Sequence, residues 1–102
     1  MNGRNVNGER RPVLIWGAGP VGKAWSRALA ERGVQRAAFA EVDPRKIGQE
    51  IHGIPVLDTA GALLREGVLH LAAVGQAGAR DHLREILSGA GLTETKNFVS
   101  VA

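Results

Sequence analysis

Val13-Leu14-Ile15-Trp16-Gly17-Ala18-Gly19-Pro20-Val21-Gly22-Lys23, continued by Ala24-Trp25-Ser26-Arg27-Ala28-Leu29, is the stretch that decides the fold. The unbroken apolar run 13–16 reads as a short strand buried on both faces, and Gly17 stops it. Pro20 suits the first turn of a helix, where its missing N–H is not needed, and Val21, Ala24, Trp25, Ala28 and Leu29 then recur at helical spacing. Gly33 ends that helix. Between strand and helix, Gly17, Gly19 and Gly22 spell GxGxxG. Gly17 permits the tight turn, Gly19 lets a pyrophosphate approach the backbone, and Gly22 lets the helix pack closely on the strand. The expected nucleotide-binding turn is therefore Gly17, Ala18, Gly19, Pro20, Val21 and Gly22, with free N–H groups and the helix dipole meeting the phosphate charge.

Outward from this turn, strand and helix patterns alternate. Arg36–Val42 reads as a second strand broken by Asp43-Pro44, and Pro55–Leu57 as a short edge piece. Thr59 is the expected cap of a helix carrying Leu63 and Leu64. Val68–Val74 is the most apolar strand, Ala79–Ser88 a third helix, and Asn97–Val101 a last strand. The alternation implies an α/β, Rossmann-like three-layer sandwich around a parallel five-stranded sheet, expected order 3-2-1-4-5. Such sheets bind ligands at the carboxyl ends of their strands. There an acid about 20 residues past the turn holds a ribose hydroxyl. Glu41 lies nineteen residues after Gly22; Asp43 competes for the role, but precedes Pro44 and reads as a turn former. Gly75 and Gln76 open a second turn on the same edge, where Gln76 could bond a base or sugar. Arg80 could reach a diphosphate or pair with Glu85. A glycine-rich turn can also serve packing alone, but strand, turn and acid coincide here.

Several chemistries are disfavoured. Gly17, Gly22 and Lys23 fit GxxxxGK, yet Ala24 stands where a hydroxyl must hold magnesium. No cysteine, no tyrosine, no GxSxG and no HExxH occur, and Asp81 and His82 are helix neighbours that do not face each other. His70, inside an apolar strand, reads as structural, and His52 sits in a turn. No catalytic residue and no metal site are expected. The absence of cysteine, of a signal peptide and of an apolar run of roughly 18 residues argues for a cytoplasmic protein without membrane insertion. Net charge is +3, of which residues 1–12 supply +2. That stretch, MNGRNVNGERRP, reads as a flexible basic tail or linker, and residues 13–102 as the nucleotide-binding domain. A nearly neutral domain with four aromatic residues gives no footprint for nucleic acid, which is not an expected partner.

Asp43-Pro44-Arg45-Lys46-Ile47-Gly48, followed by Gly53-Ile54-Pro55-Val56, is the least generic pattern. With the glycine-rich turn and LAAVGQAGAR, it resembles the Rossmann-like N-terminal domain of bacterial sugar acyltransferases of the sialic-acid and pilin-glycan type. It is similar also to the nucleotide-binding region of polysaccharide-biosynthesis dehydratases, and the final FVSVA to domains attached to family 2 glycosyltransferases. The resemblance implies a non-catalytic module for a nucleotide sugar of the uridine-diphosphate type, working with a catalytic partner, domain or separate protein, in glycan biosynthesis. Two alternatives stand beside it: an NAD(P)-binding redox sensor or oxidoreductase fragment, and a structural interaction domain without ligand. Oligomeric state has no signal in the sequence.

Overall fold

The computed structural model describes residues 11–101, so the expected tail lies almost wholly outside the described residues. Six strands form one sheet: β1 (Val13–Trp16), β2 (Arg36–Ala40), β3 (Glu50–Ile51), β4 (Ile54–Leu57), β5 (Leu69–Ala73) and β6 (Phe98–Val101). Their order is β3-β4-β2-β1-β5-β6. The expected order 3-2-1-4-5 is present in β4-β2-β1-β5-β6, all parallel. The five-stranded, purely parallel sheet is corrected by β3, which adds an antiparallel edge pairing to β4. β3 is two residues long, too short for a period-2 pattern to register in sequence.

The sheet is a buried middle layer because adjacent strand residues point to opposite faces. Val13 and Ile15 join Phe39, Val56, Leu71 and Ala73 on one face, under Val21, Trp25 and Leu29 of α1 (Pro20–Glu31). Leu14 and Trp16 join Ala38, Ala40, Ala72 and Phe98 on the other, under α2 (Thr59–Leu63) and α3 (Ala77–Gly89). The cap of α2 is Asp58, not Thr59: its carboxylate accepts from the Gly61 N–H at 2.7 Å, and Thr59 is the first helical residue. A carboxylate at a helix start bonds a free N–H and also meets the positive dipole end.

Two histidine contacts brace the fold, one between neighbouring strands and one between a hairpin and a helix. The Trp16 indole N–H donates to His70 Nδ1 at 2.9 Å, and His70 is only 2% exposed. His70 is thus a neutral, hydrogen-bonded structural residue, its pKa lowered by burial and secondarily by Arg11. The β3–β4 turn is His52-Gly53, both at positive φ (54° and 77°), a two-residue hairpin for which histidine is tolerated and glycine favoured. His52 Nδ1 lies 3.0 Å from the hydroxyl of Ser26, a fully buried residue of α1 that accepts an Arg36 N–H at 2.8 Å. This contact pins the hairpin to α1.

Candidate functional site

The carboxyl ends of β1, β2 and β5 open into a cleft of about 450 Å³, lined by Gly17, Gly19, Pro20, Val21, Glu41, Lys46, Gly75 and Gln76 among others. The three turn glycines serve different ends. Gly17 has φ 108°, and a Cβ on it would meet the Ala73 carbonyl oxygen at 2.9 Å. A Cβ on Gly22 would run into the Gly17 carbonyl. Both are required by the fold itself. At Gly19 a Cβ would meet nothing within 4 Å. Gly19 therefore borders open cleft, where a side chain would fill the cleft rather than clash. It is also the N-cap of α1 and offers no side-chain bond, so the first-turn N–H groups of Val21 and Gly22 have no cap.

Glu41 follows β2, its own N–H donating to the Leu57 carbonyl at 2.9 Å. Its carboxylate turns back to the glycine-rich turn. Oε1 accepts the Ala18 N–H at 3.0 Å, and Oε2 accepts those of Val42 (2.9 Å) and Asp43 (3.2 Å). Lys46 Nζ stands 3.9 Å from Oε1. An ionised carboxylate offers about four lone-pair sites, so one stays open for a further hydroxyl donor. Asp43 is turned elsewhere: it accepts from the Arg45 N–H at 3.0 Å and pairs with the Arg45 guanidinium at 3.0 Å, which holds its carboxyl below the usual range.

Beside the cleft lies a second, apolar slot of about 140 Å³. Trp16, Ala40, Val42 and Val74 line it from the strand ends, and Ala79, Leu83 and Ile86 from α3, with Thr59 and His82 as polar rim. Gly17, Glu41, Val74 and Ala79 border both spaces. Val42, at the slot, is 77% exposed, an apolar side chain left facing open volume. A glycine-rich turn with uncapped helix N–H groups, a carboxylate and an apolar slot thus adjoin.

Of the expected residues, Gly17, Gly19, Pro20, Val21, Glu41, Gly75 and Gln76 line the cleft. Ala18 contributes its N–H to Glu41, and Gly22 supports the turn from behind. Asp43 and Arg80 are not brought to the cleft lining; Arg80 lies a turn into α3. The sequence reading misses Lys46 and the whole slot. Among the described residues no group of His, Asp and Glu could hold a metal ion, and no helix is long and apolar enough to cross a membrane.

With this geometry, the chain is 32% identical over 92 residues to the redox-sensing transcriptional repressor Rex of Streptomyces coelicolor. The match covers 85% of this chain and 36% of that protein. Among solved structures, RSP, a Rex-family repressor, superposes with a TM-score of 0.69 at 17% identity over 89% of this chain and 52% of that one. RSP in complex with β-NADH gives 0.68 at 17% identity (90% and 53%), and RSP with β-NAD+ and operator DNA gives 0.67 at 17% (89% and 49%). At that identity the superpositions establish the Rossmann-like fold, and the chain spans about half the length of the solved relatives.

Two expectations are corrected. Glycan biosynthesis, with its uridine-diphosphate sugar and transferase partner, gives way to relatives that are redox-sensing repressors. The motif behind it does structural work in this chain: Asp43 closes a turn, Gly48 has φ 89°, and His52-Gly53 makes a hairpin. The exclusion of nucleic acid is overturned by a solved relative in complex with operator DNA. A charge footprint speaks only for the stretch that carries it, and this chain spans 36% of its curated relative. The profile of the CoA-binding domain family matches residues 9–99, nearly the entire chain, and on that match this chain belongs to the CoA-binding domain family.

Proposed function

We propose that residues 13–102 form a non-catalytic binding domain for an adenine dinucleotide, NAD(H), and that it acts as the redox-sensing half of a Rex-like repressor. The observation that carries this is the adjacency of turn, Glu41 and slot. The diphosphate lies on the N–H groups before α1, near Gly19. The adenosine ribose gives a hydroxyl to the open lone pair of Glu41, and the adenine enters the slot against Val42, Val74 and Leu83. The relatives named with NADH and NAD+ support this ligand over a nucleotide sugar. Coenzyme A shares adenine and diphosphate but carries a phosphate on its ribose, which would stand against the Glu41 carboxylate.

Operator binding belongs to the repressors by name. Here we assign it to a partner segment to which this domain reports nucleotide state, in the cytoplasm where a bacterial repressor meets its operator. No cleft-lining side chain pairs a nucleophile with a base, so the ligand is bound and not turned over. Calorimetry with NADH, NAD+, coenzyme A and UDP-N-acetylglucosamine tests the reading. NADH should bind, Gly19→Val should abolish binding without unfolding the chain, and chromatography should recover NADH unchanged. Preference for the sugar nucleotide, or NADH affinity undiminished in Gly19→Val, would refute it.

A further inference from the structure

Three cations gather around the Ser26 hydroxyl, and none of them lines the cleft or the slot. On α1, Lys23 is the helical neighbour of both Ser26, three residues on, and Arg27, four residues on. Arg36, at the start of β2, donates an N–H to the Ser26 hydroxyl at 2.8 Å, and His52 of the β3–β4 turn brings Nδ1 to 3.0 Å from the same oxygen. A helix, a strand and a hairpin thus deliver Lys23, Arg27, Arg36 and His52 to one patch. Behind burial, the charges of Arg27, Arg36 and Lys23 reach the imidazole and lower its pKa. Arg45, Lys46 and Arg84 each face a carboxylate, but among the described residues none pairs with Lys23, Arg27 or Arg36. The acids on these elements, Glu31 on α1 and Glu50 on β3, make no ion pair with them. Arg27 and His52 are exposed, and Lys23 and Arg36 half-buried. Ser26 itself is enclosed, but Arg36 keeps most of its N–H donors, and His52 Nε2 has no partner among the described residues.

We propose that Lys23, Arg27, Arg36 and His52 form a second anion site, for a phosphate dianion, beside the β3–β4 hairpin. Crowded like charges repel one another, and with no carboxylate paired to them an anion from outside relieves the repulsion. One carboxylate cannot balance three cations. A phosphate dianion carries more charge and presents oxygens in several directions, as donors arriving from a helix, a strand and a hairpin require. The Arg36 guanidinium gives planar N–H groups to the phosphate oxygens, Lys23 and Arg27 supply charge from α1, and the protonated imidazole donates from Nε2. Because His52 also pins the hairpin to α1, a bound phosphate braces that contact. None of the four residues borders the cleft, so the site stands apart from the dinucleotide reading.

The test follows the ring protons of His52 by NMR in the full chain, assigned with His52→Asn, between about pH 8 and 5 in sodium chloride and in inorganic phosphate at equal ionic strength. Phosphate should raise the His52 pKa by about one unit, since an opposite charge favours the protonated ring, and should leave buried His70 unmoved. The double variant Lys23→Met, Arg27→Met should weaken phosphate about fivefold, read from the same shifts. If that variant does not fold, Arg27→Met decides alone, because Arg27 is exposed. Gly19→Val should keep the His52 response, which separates this site from phosphate held in the cleft. Glycerol 3-phosphate distinguishes the sources: tighter binding than inorganic phosphate assigns the site to a phosphomonoester, and equal or weaker binding to free phosphate. A His52 pKa equal in phosphate and chloride, a response undiminished in the cation variants, or one lost in a folded Gly19→Val would overturn the proposal.

Discussion

Two polar clusters lie along α1. At its N-terminus, the Glu41 carboxylate takes three backbone N–H groups and borders both the cleft and the slot. At its second turn, the Ser26 hydroxyl takes an Arg36 N–H and meets His52 Nδ1, and Ser26 is fully buried. Both hold polar atoms at hydrogen-bond distance, so bonding by itself does not mark a site. The difference is spare capacity. Glu41 keeps a lone pair beside open volume, whereas the Ser26 hydroxyl is fully buried and meets both of its partners within the protein. A third contact, Trp16 to His70, is of the Ser26 kind on the opposite face of the sheet.

The largest expected effect divides the turn glycines between these two kinds. Gly22→Val drives a side chain into the Gly17 carbonyl and should abolish the cooperative thermal melt. Gly19→Val meets nothing within 4 Å and should keep the melt while losing NADH affinity. If both unfold the chain, the assignment of Gly19 to ligand space fails.

Trp16→Phe comes next. It keeps an aromatic ring but removes the donor to a buried nitrogen, at a cost of about 1–3 kcal/mol in urea unfolding. A loss below the error of extrapolation would show that His70 finds another donor. Ser26→Ala should cost about 1 kcal/mol, since Arg36 and His52 can turn to water, and should leave NADH affinity within about twofold. A much larger change in affinity would join the two clusters that the comparison separates.

The smallest effect is in pH. Burial, ahead of Arg27, Arg36 and Lys23, lowers the pKa of His52 below 6.5, and burial ahead of Arg11 does the same for His70. As pH falls, the unfolded chain takes up these protons first, so stability is intact above about pH 6.5 and declines below it. His52→Asn tolerates the positive φ and should flatten part of that decline, leaving the share of His70. Thermal melts between about pH 7.5 and 5.5 read both slopes. A wild-type melting temperature that rises toward acid would contradict the sign.

The strand-turn-helix opening and the sheet order are legible in sequence because they rest on local rules. A continuous apolar run, glycines at a turn and helical periodicity each act within about ten residues, and parallel strands joined by helices leave few topologies. Glu41 is legible for the same reason, by its distance from Gly22. What only the tertiary structure decides is what distant residues build together. Trp16, Val42, Thr59, Val74 and Leu83 belong to separate segments and become a slot because the sheet aligns their strand ends. Lys46 reaches Glu41 because β4 holds its turn, and β3 exists because His52 and Gly53 fold a two-residue hairpin against Ser26. Local propensity acts along the chain and is written in the order of residues; a cavity or an ion pair depends on distances through space, which exist only once the sheet has formed.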